Sequence, residues 1–216
     1  VTMTMKSPKI AVVDYGVGNL YSIQKAFDKF TTKAIITEEA KEIESSDALV
    51  LPGVGSFEAG MNGLCIRNLE TTIKQFAESG KPILGICLGA QLLLSKGFEF
   101  GEFSGLNIIP GRVIKFPKLA DNAKIPHIGW NRLSFKTSVS KNDTPFRSID
   151  READVYFVHS YILEPDDKKV IFATTEYGGH EFCAIIKKNN IYGCQFHPEK
   201  SGPVGLKIIE NFIKIA

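Results

Sequence analysis

The chain has 216 residues, 26 of them lysine or arginine and 24 aspartate or glutamate, for a formal net charge of +2. That length suits one large α/β domain with a substantial core, and the near balance of charge argues against nucleic-acid or membrane partners, as does the lack of any apolar run near the roughly 20 residues of a membrane helix. The four cysteines, Cys65, Cys87, Cys183 and Cys194, form no C-x-x-C pair and follow no secretory signal, so neither a zinc site nor a disulfide framework is expected and the cytosol is the default compartment.

Residues 1–8 read as a frayed or non-native extension, and 9–216 as a single domain. Ile10-Ala11-Val12-Val13-Asp14 is a continuous apolar run, the pattern of a strand buried on both faces. It leads through Tyr15-Gly16-Val17-Gly18-Asn19-Leu20 into a helix with Ile23, Ala26, Phe27 and Phe30 on one face. The third glycine of a dinucleotide fingerprint is missing there, since Tyr21 follows Leu20, which argues against a nucleotide site. Short strands are expected at 34–37 and 47–51, the second ending in Pro52-Gly53-Val54-Gly55. Loops beyond the carboxyl ends of parallel strands are where open α/β sheets bind ligands. Two glycines around Val54 let the backbone turn N–H groups toward a substrate, although an ordinary strand-to-helix turn would look similar. One long helix is expected over 57–78, with Leu64, Leu69, Ile73 and Phe76 in the core and Gly80 and Pro82 ending it.

The stretch 82–93, PILGICLGAQLL, carries the strongest chemical signal. An apolar strand stops at Cys87 and gives way to a helical pattern, with Gly85 and Gly89 two residues to either side. This is the cysteine version of the G-x-S-x-G nucleophile elbow, in which side chains on the flanking positions would crowd the turn. The first N–H groups of the following helix favour a thiolate and a developing oxyanion alike. A buried structural thiol is the competing reading. Gln91, one helical turn beyond Cys87, suits recognition of an uncharged polar substrate.

Farther on, 106–116 reads as two short strands about a Pro-Gly turn, 126–131 as a turn holding the single tryptophan, and 136–150 as surface loop. Strands are expected over 155–162, 171–175 and 184–186, then a hairpin through Asn189-Asn190 into 191–196. That last run ends at His197. If the backbone stays extended, Glu199 projects to the same side and can hold the imidazole in one tautomer. Of the other histidines, His127 and His159 read as structural and His180 sits in a polar glycine-rich turn, so His197 ranks first as the base. A final helix presents Leu206, Ile208, Ile209, Phe212 and Ile213 to the core.

With these residues assembled, the sequence resembles the class I glutamine amidotransferases, and within them the glutaminase subunits of imidazole glycerol phosphate synthase in histidine biosynthesis. The matching stretches are 14–20, 52–57, 85–93, 126–131, 156–161 and 195–201, in the family's order. The resemblance implies a flavodoxin-like α/β fold, with a mixed, mostly parallel sheet covered by helices on both faces and an added antiparallel portion. It implies a Cys87, His197 and Glu199 triad and an oxyanion hole from the backbone N–H groups of Leu88 and Val54, the latter on a peptide that flips to become competent. Gly53, Gly55, Gln91 and the stretch His159-Ser160-Tyr161 would hold L-glutamine. Asn19, Trp130 and Asn131 would lie near the docking face for a (β/α)8-barrel synthase subunit, which forms a heterodimer and receives the ammonia. No cofactor or metal is called for. Two stretches depart from the family pattern: Ala90 stands where methionine is usual, and residues 99–103 differ from the commoner acidic stretch. The glutaminase motifs are shared with subunits that feed ammonia to amidino-sugar synthesis in surface polysaccharide. A cysteine peptidase or γ-glutamyl hydrolase on a similar sheet is the rival enzymatic reading, and a non-catalytic scaffold the rival outside enzymology.

Overall fold

A computed structural model of the protein describes residues 7–30, 34–120 and 123–216. Most of the extension expected at 1–8 lies outside the described residues. Strands Ile10–Val13, Ala48–Leu51 and Ile83–Ile86 are buried along their whole length, as continuous apolar runs in a parallel sheet require. The main sheet begins in the order Ala34–Thr37, Ile10–Val13, Ala48–Leu51, Ile83–Ile86, Ile191–Cys194, all parallel. It continues through antiparallel strands His180–Lys188, Tyr161–Pro165 and Gly111–Lys115, with Ile171–Tyr177 branching from His180–Lys188.

Alternate side chains of the parallel strands feed two cores on opposite faces. Ile10, Val12, Val50, Leu84 and Ile86 pack with helices Leu20–Phe27 and Gly202–Ile215. Ala11, Val13, Leu49, Leu51 and Ile83 pack with helices Phe57–Ile66 and Leu69–Glu78. This is the mixed, mostly parallel architecture expected from the motifs. Its parallel strands all end at one edge, so the loops after Val13, Leu51, Ile86 and Cys194 gather there.

Several local expectations are corrected. The single helix at 57–78 is two helices, broken at Asn68, whose φ of 56° is a left-handed conformation that asparagine tolerates. The first of the two strands expected in 106–116 is absent. The N–H groups of Leu106, Ile108 and Ile109 instead donate to the Leu92 and Leu93 carbonyls at the end of the short helix Leu88–Leu92, and only Gly111–Lys115 is a strand. The supposed turn at 126–131 is a strand, His127–Arg132, paired antiparallel with Asp154–His159 in a separate ladder that sets Tyr156 opposite Trp130 and His159 opposite His127. The run 155–162 therefore serves two sheets, divided at Ser160: Asp154–His159 in this ladder and Tyr161–Pro165 in the main sheet. Of the final helix's expected core residues, Ile208, Ile209 and Phe212 are buried, whereas Leu206 and Ile213 are partly exposed.

Candidate active site

Cys87 sits between strand Ile83–Ile86 and helix Leu88–Leu92 with φ 52° and ψ −107°, a conformation rare for any side-chain-bearing residue. What holds it there is close packing. Its N–H donates to the Cys194 carbonyl at 2.7 Å, fastening the elbow to the neighbouring strand end. A methyl at Gly89 would come within 1.7 Å of the Leu51 carbonyl oxygen, and one at Gly85 within 2.9 Å of the backbone of Ala90. Both glycines are thus required by contact with neighbouring backbone, which fixes the helix hard against two strands.

His197 and Glu199 are brought together, but not by an extended backbone. Pro198–Lys200 is a 3-10 turn, and it folds the Glu199 Oε1 to 2.7 Å from His197 Nδ1. Ser201 secures this corner: its hydroxyl donates to the His197 carbonyl at 2.7 Å and accepts the Tyr156 N–H at 3.0 Å. The His197 and Glu199 side chains are almost fully buried, and His197 Nε2 has no hydrogen-bond partner among the described residues. Burial alone would lower the imidazole pKa. The adjacent Cys87 and Glu199 side chains more than reverse that, and it is pushed up to about 9. The ring is thus coupled to both the Cys87 sulfur and the Glu199 carboxylate.

Beside Cys87 opens a cavity of about 370 Å³. Val54, Gly55, Leu88, Gln91, Val158 and the stretch His159-Ser160-Tyr161 are among the residues that line it. Gly53 is not on its wall; it is packed between Tyr15 and Leu88. The N–H of Leu88, one of the lining residues, donates to the Gly53 carbonyl at 3.3 Å, so this donor is occupied by the loop. The Gln91 amide N–H2 is likewise engaged, by the Tyr161 carbonyl and by Gln195 Oε1, each at 3.2 Å.

His159 is structural as well as lining. Its Nδ1 faces the Tyr161 carbonyl at 2.8 Å and its Nε2 faces His127 Nδ1 at 3.1 Å. His127 Nε2 in turn faces Asn131 Oδ1 at 2.7 Å, and the Asn131 N–H2 donates to the Glu176 carbonyl. Burial lowers the pKa of both rings, to about 3 for His159. Two neutral rings carry two protons for three contacts, so one contact in this chain lacks a proton. Asn131 is thereby committed inward. Asn19 is exposed and caps helix Leu20–Phe27 through the Ser22 N–H, and Trp130 is 55 % exposed beside Ile128 at 58 %.

Several residues of the site, Gln195, Glu99, Val158 and Lys200 among them, were not singled out from the sequence. Gln195 is fully buried and its amide nitrogen lies 3.9 Å from the Cys87 sulfur. Glu99 lines the cavity and accepts the Phe57 N–H at 2.8 Å, at the start of helix Phe57–Ile66. The unusual 99–103 stretch was the only sequence signal for it.

The family model described as glutamine amidotransferase class-I matches residues 11–216. The chain belongs to the class I glutamine amidotransferase family. It is 49 % identical over 213 residues to the imidazole glycerol phosphate synthase subunit HisH 1 of Legionella pneumophila (strain Paris), covering 95 % of this chain and 99 % of that one. To the HisH subunit of Geobacter sulfurreducens it is 47 % identical, covering 94 % and 97 %. Among solved structures, PurLQS from Thermotoga maritima superposes with a TM-score of 0.71 at 20 % identity, over 97 % of this chain and 99 % of that chain. A glutamine amidotransferase from the same organism superposes with a TM-score of 0.59 at 18 % identity, over 97 % and 82 %. These last two likenesses concern the fold. In this amidotransferase no helix among the described residues is long and apolar enough to cross a membrane.

Proposed function

We propose that this amidotransferase, as a single domain over residues 9–216, is the glutaminase subunit of an imidazole glycerol phosphate synthase. It acts in the cytoplasm, hydrolysing L-glutamine and passing ammonia to a (β/α)8-barrel cyclase partner in histidine biosynthesis. The reading of the chemistry is supported by the buried His197–Glu199 pair, the coupling of His197 to Cys87, and the cavity that Cys87 and Leu88 line. The synthase assignment is supported by the near full-length similarity to HisH subunits.

In this reading the Cys87 thiolate attacks the side-chain carboxamide carbon of glutamine while His197 is protonated. Charge gathers on the carboxamide oxygen, where the Leu88 and Val54 N–H groups would receive it. His197 gives its proton to the departing nitrogen, the C–N bond breaks, and ammonia leaves behind a glutamyl thioester. Water then attacks the thioester, His197 takes a proton from it, the C–S bond breaks, glutamate leaves and the thiolate is regenerated. Glu199 holds the imidazole tautomer throughout. Because the Gly53 carbonyl occupies the Leu88 N–H, the Gly53–Val54 peptide turns over before the oxyanion is fully served.

Gly55, Gln91 and the His159-Ser160-Tyr161 backbone seat the substrate. The Glu99 carboxylate is the one acidic group on the cavity wall among the described residues and pairs with the α-ammonium of glutamine. Glu99→Gln is expected to raise KM for glutamine by about 10–100-fold with kcat nearly unchanged, as loss of a charged ground-state contact does. Steady-state kinetics at saturating partner check this.

Ile128, Trp130 and Tyr21 are exposed large apolar side chains, and Trp130 lies near Gly202, which shares a cavity wall with Ser22 of the Asn19-capped helix. Such a patch fits a protein interface better than bare solvent. Trp130→Ala is expected to weaken the heterodimer by about 30-fold or more, the usual cost of a central aromatic anchor, measured by titration calorimetry. The whole reading is tested by assaying ammonia release from glutamine with and without the cyclase. Strong stimulation is expected, and no release at saturating partner would overturn it.

A further inference from the structure

The segment Pro52-Gly53-Val54-Gly55 has one tethered end and one free end. Tyr15, fully buried, donates its hydroxyl to the Pro52 carbonyl. Its ring end also abuts the next residue: a methyl at Gly53 would come within 2.2 Å of the Tyr15 oxygen and 2.9 Å of Leu88 Cβ. From the other side of the same loop, a methyl at Gly18 would contact Gly53 Cα at 3.5 Å. Gly55, by contrast, has a φ of 118° with open space where a side chain would stand, and Val54 is 39 % exposed.

Tyr15 is itself immobilised. Its carbonyl accepts Arg67 Nη1 at 3.3 Å, and a methyl at Gly63 would come within 2.1 Å of that carbonyl oxygen, so helix Phe57–Ile66 is pressed against it. Burial first, and the nearby Cys87 second, push the phenol pKa up, so the hydroxyl remains a donor. Proline supplies no N–H at position 52, so its carbonyl is the only backbone group of that residue able to enter a hydrogen bond.

We propose that Tyr15 is a positioning residue for glutamine hydrolysis, its hydroxyl holding the Pro52 carbonyl so that rotation is confined to the Gly53–Val54 peptide that supplies an oxyanion donor. This rests on the glutaminase reading above and adds a residue to it. A rotation about ψ of Gly53 and φ of Val54 carries the Gly53 carbonyl off the Leu88 N–H and swings the Val54 N–H round. The Val54 N–H reaches a defined place only when the preceding peptide plane is fixed. Without the hydroxyl, the Pro52–Gly53 plane is free to follow the rotation and the donor scatters.

The test is Tyr15→Phe in the full chain with its cyclase partner, following glutamine hydrolysis and, separately, the alkylation of Cys87 by iodoacetamide read by mass spectrometry. Alkylation needs the thiolate and no oxyanion donor. We expect kcat to fall by about 10–100-fold, short of or equal to the loss of one whole oxyanion donor, with KM within about twofold and the alkylation rate of Cys87 unchanged. An unchanged kcat would overturn the proposal, as would a fall in kcat matched by an equal fall in alkylation, which would place the effect on the elbow instead. Arg67→Ala, which releases the Tyr15 carbonyl without touching the elbow, should give a smaller loss of kcat with alkylation again unchanged, and decides the matter if Tyr15→Phe does not fold. Absence of glutamine hydrolysis in the unmodified complex would instead refute the glutaminase reading.

Discussion

Cys87→Ala is expected to reduce glutamine-driven synthesis by about 10⁴-fold or more, since removing the nucleophile of a comparable triad costs on the order of 10⁶ in turnover. Ammonia added directly should still support synthesis at close to the unmodified rate, because that step belongs to the partner. The variant should fold normally. Apart from its interaction with the His197 ring, the sulfur makes only long contacts among the described residues, 3.9 Å to Gln195 Nε2 and 3.9 Å to the Val158 carbonyl, and its loss removes a single atom from the core. Equal glutamine-driven rates with and without the thiol would remove the thioester mechanism altogether and leave the scaffold reading. Loss of both glutamine- and ammonia-driven synthesis would show that the division of labour between subunits is wrong.

For His197→Asn a loss of about 10²–10⁴-fold in kcat is expected, the range over which a positioned proton donor contributes. Asparagine retains an N–H for Glu199, which matters because that carboxylate is buried and its second oxygen has no partner. The unmodified protein should show the ring's titration in its stability as well as in its rate. Folding raises the pKa of His197 from 6.5 to about 9, so the native state holds this proton more tightly than the unfolded chain. The resulting stabilisation is fully present below about pH 6.5 and disappears as pH climbs through about 9. Turnover should decline over the upper part of the same window, as the proton destined for ammonia is lost. Urea midpoints and kcat measured from pH 6 to 10 would reveal both trends, and neither should appear in His197→Asn.

The parts of the fold that could be read directly were those whose environment is uniform. Runs such as Ile10–Val13 and Ile83–Ile86 lie in a sheet covered on both faces, so an unbroken apolar stretch is their signature. The elbow at Cys87 was equally plain, because its glycines and its helix lie within a few residues of it. Where the decisive partner is far along the chain, local pattern failed. Strand His127–Arg132 contains a glycine and has a mixed surface, and it becomes a strand only by pairing with Asp154–His159. Asn68 broke a helix whose amphipathic pattern continued past it. Within the site, Gln195 reaches Cys87 from 108 positions away, Glu99 reaches Phe57 across 42 and Tyr15 reaches Pro52 across 37, and no motif spacing encodes such approaches.

The His127–Arg132 ladder has a consequence for how this protein can change over time. Along it buried and exposed positions alternate, His127 inward, Ile128 outward and Trp130 outward, and each is matched to a residue of Asp154–His159. Gain or loss of one codon there would turn the indole into the interior and an imidazole out to water, undoing the exposed apolar patch and the packing behind the cavity wall in a single event. Length differences among descendants of this gene should therefore accumulate outside the ladder, while changes within it should be substitutions alone.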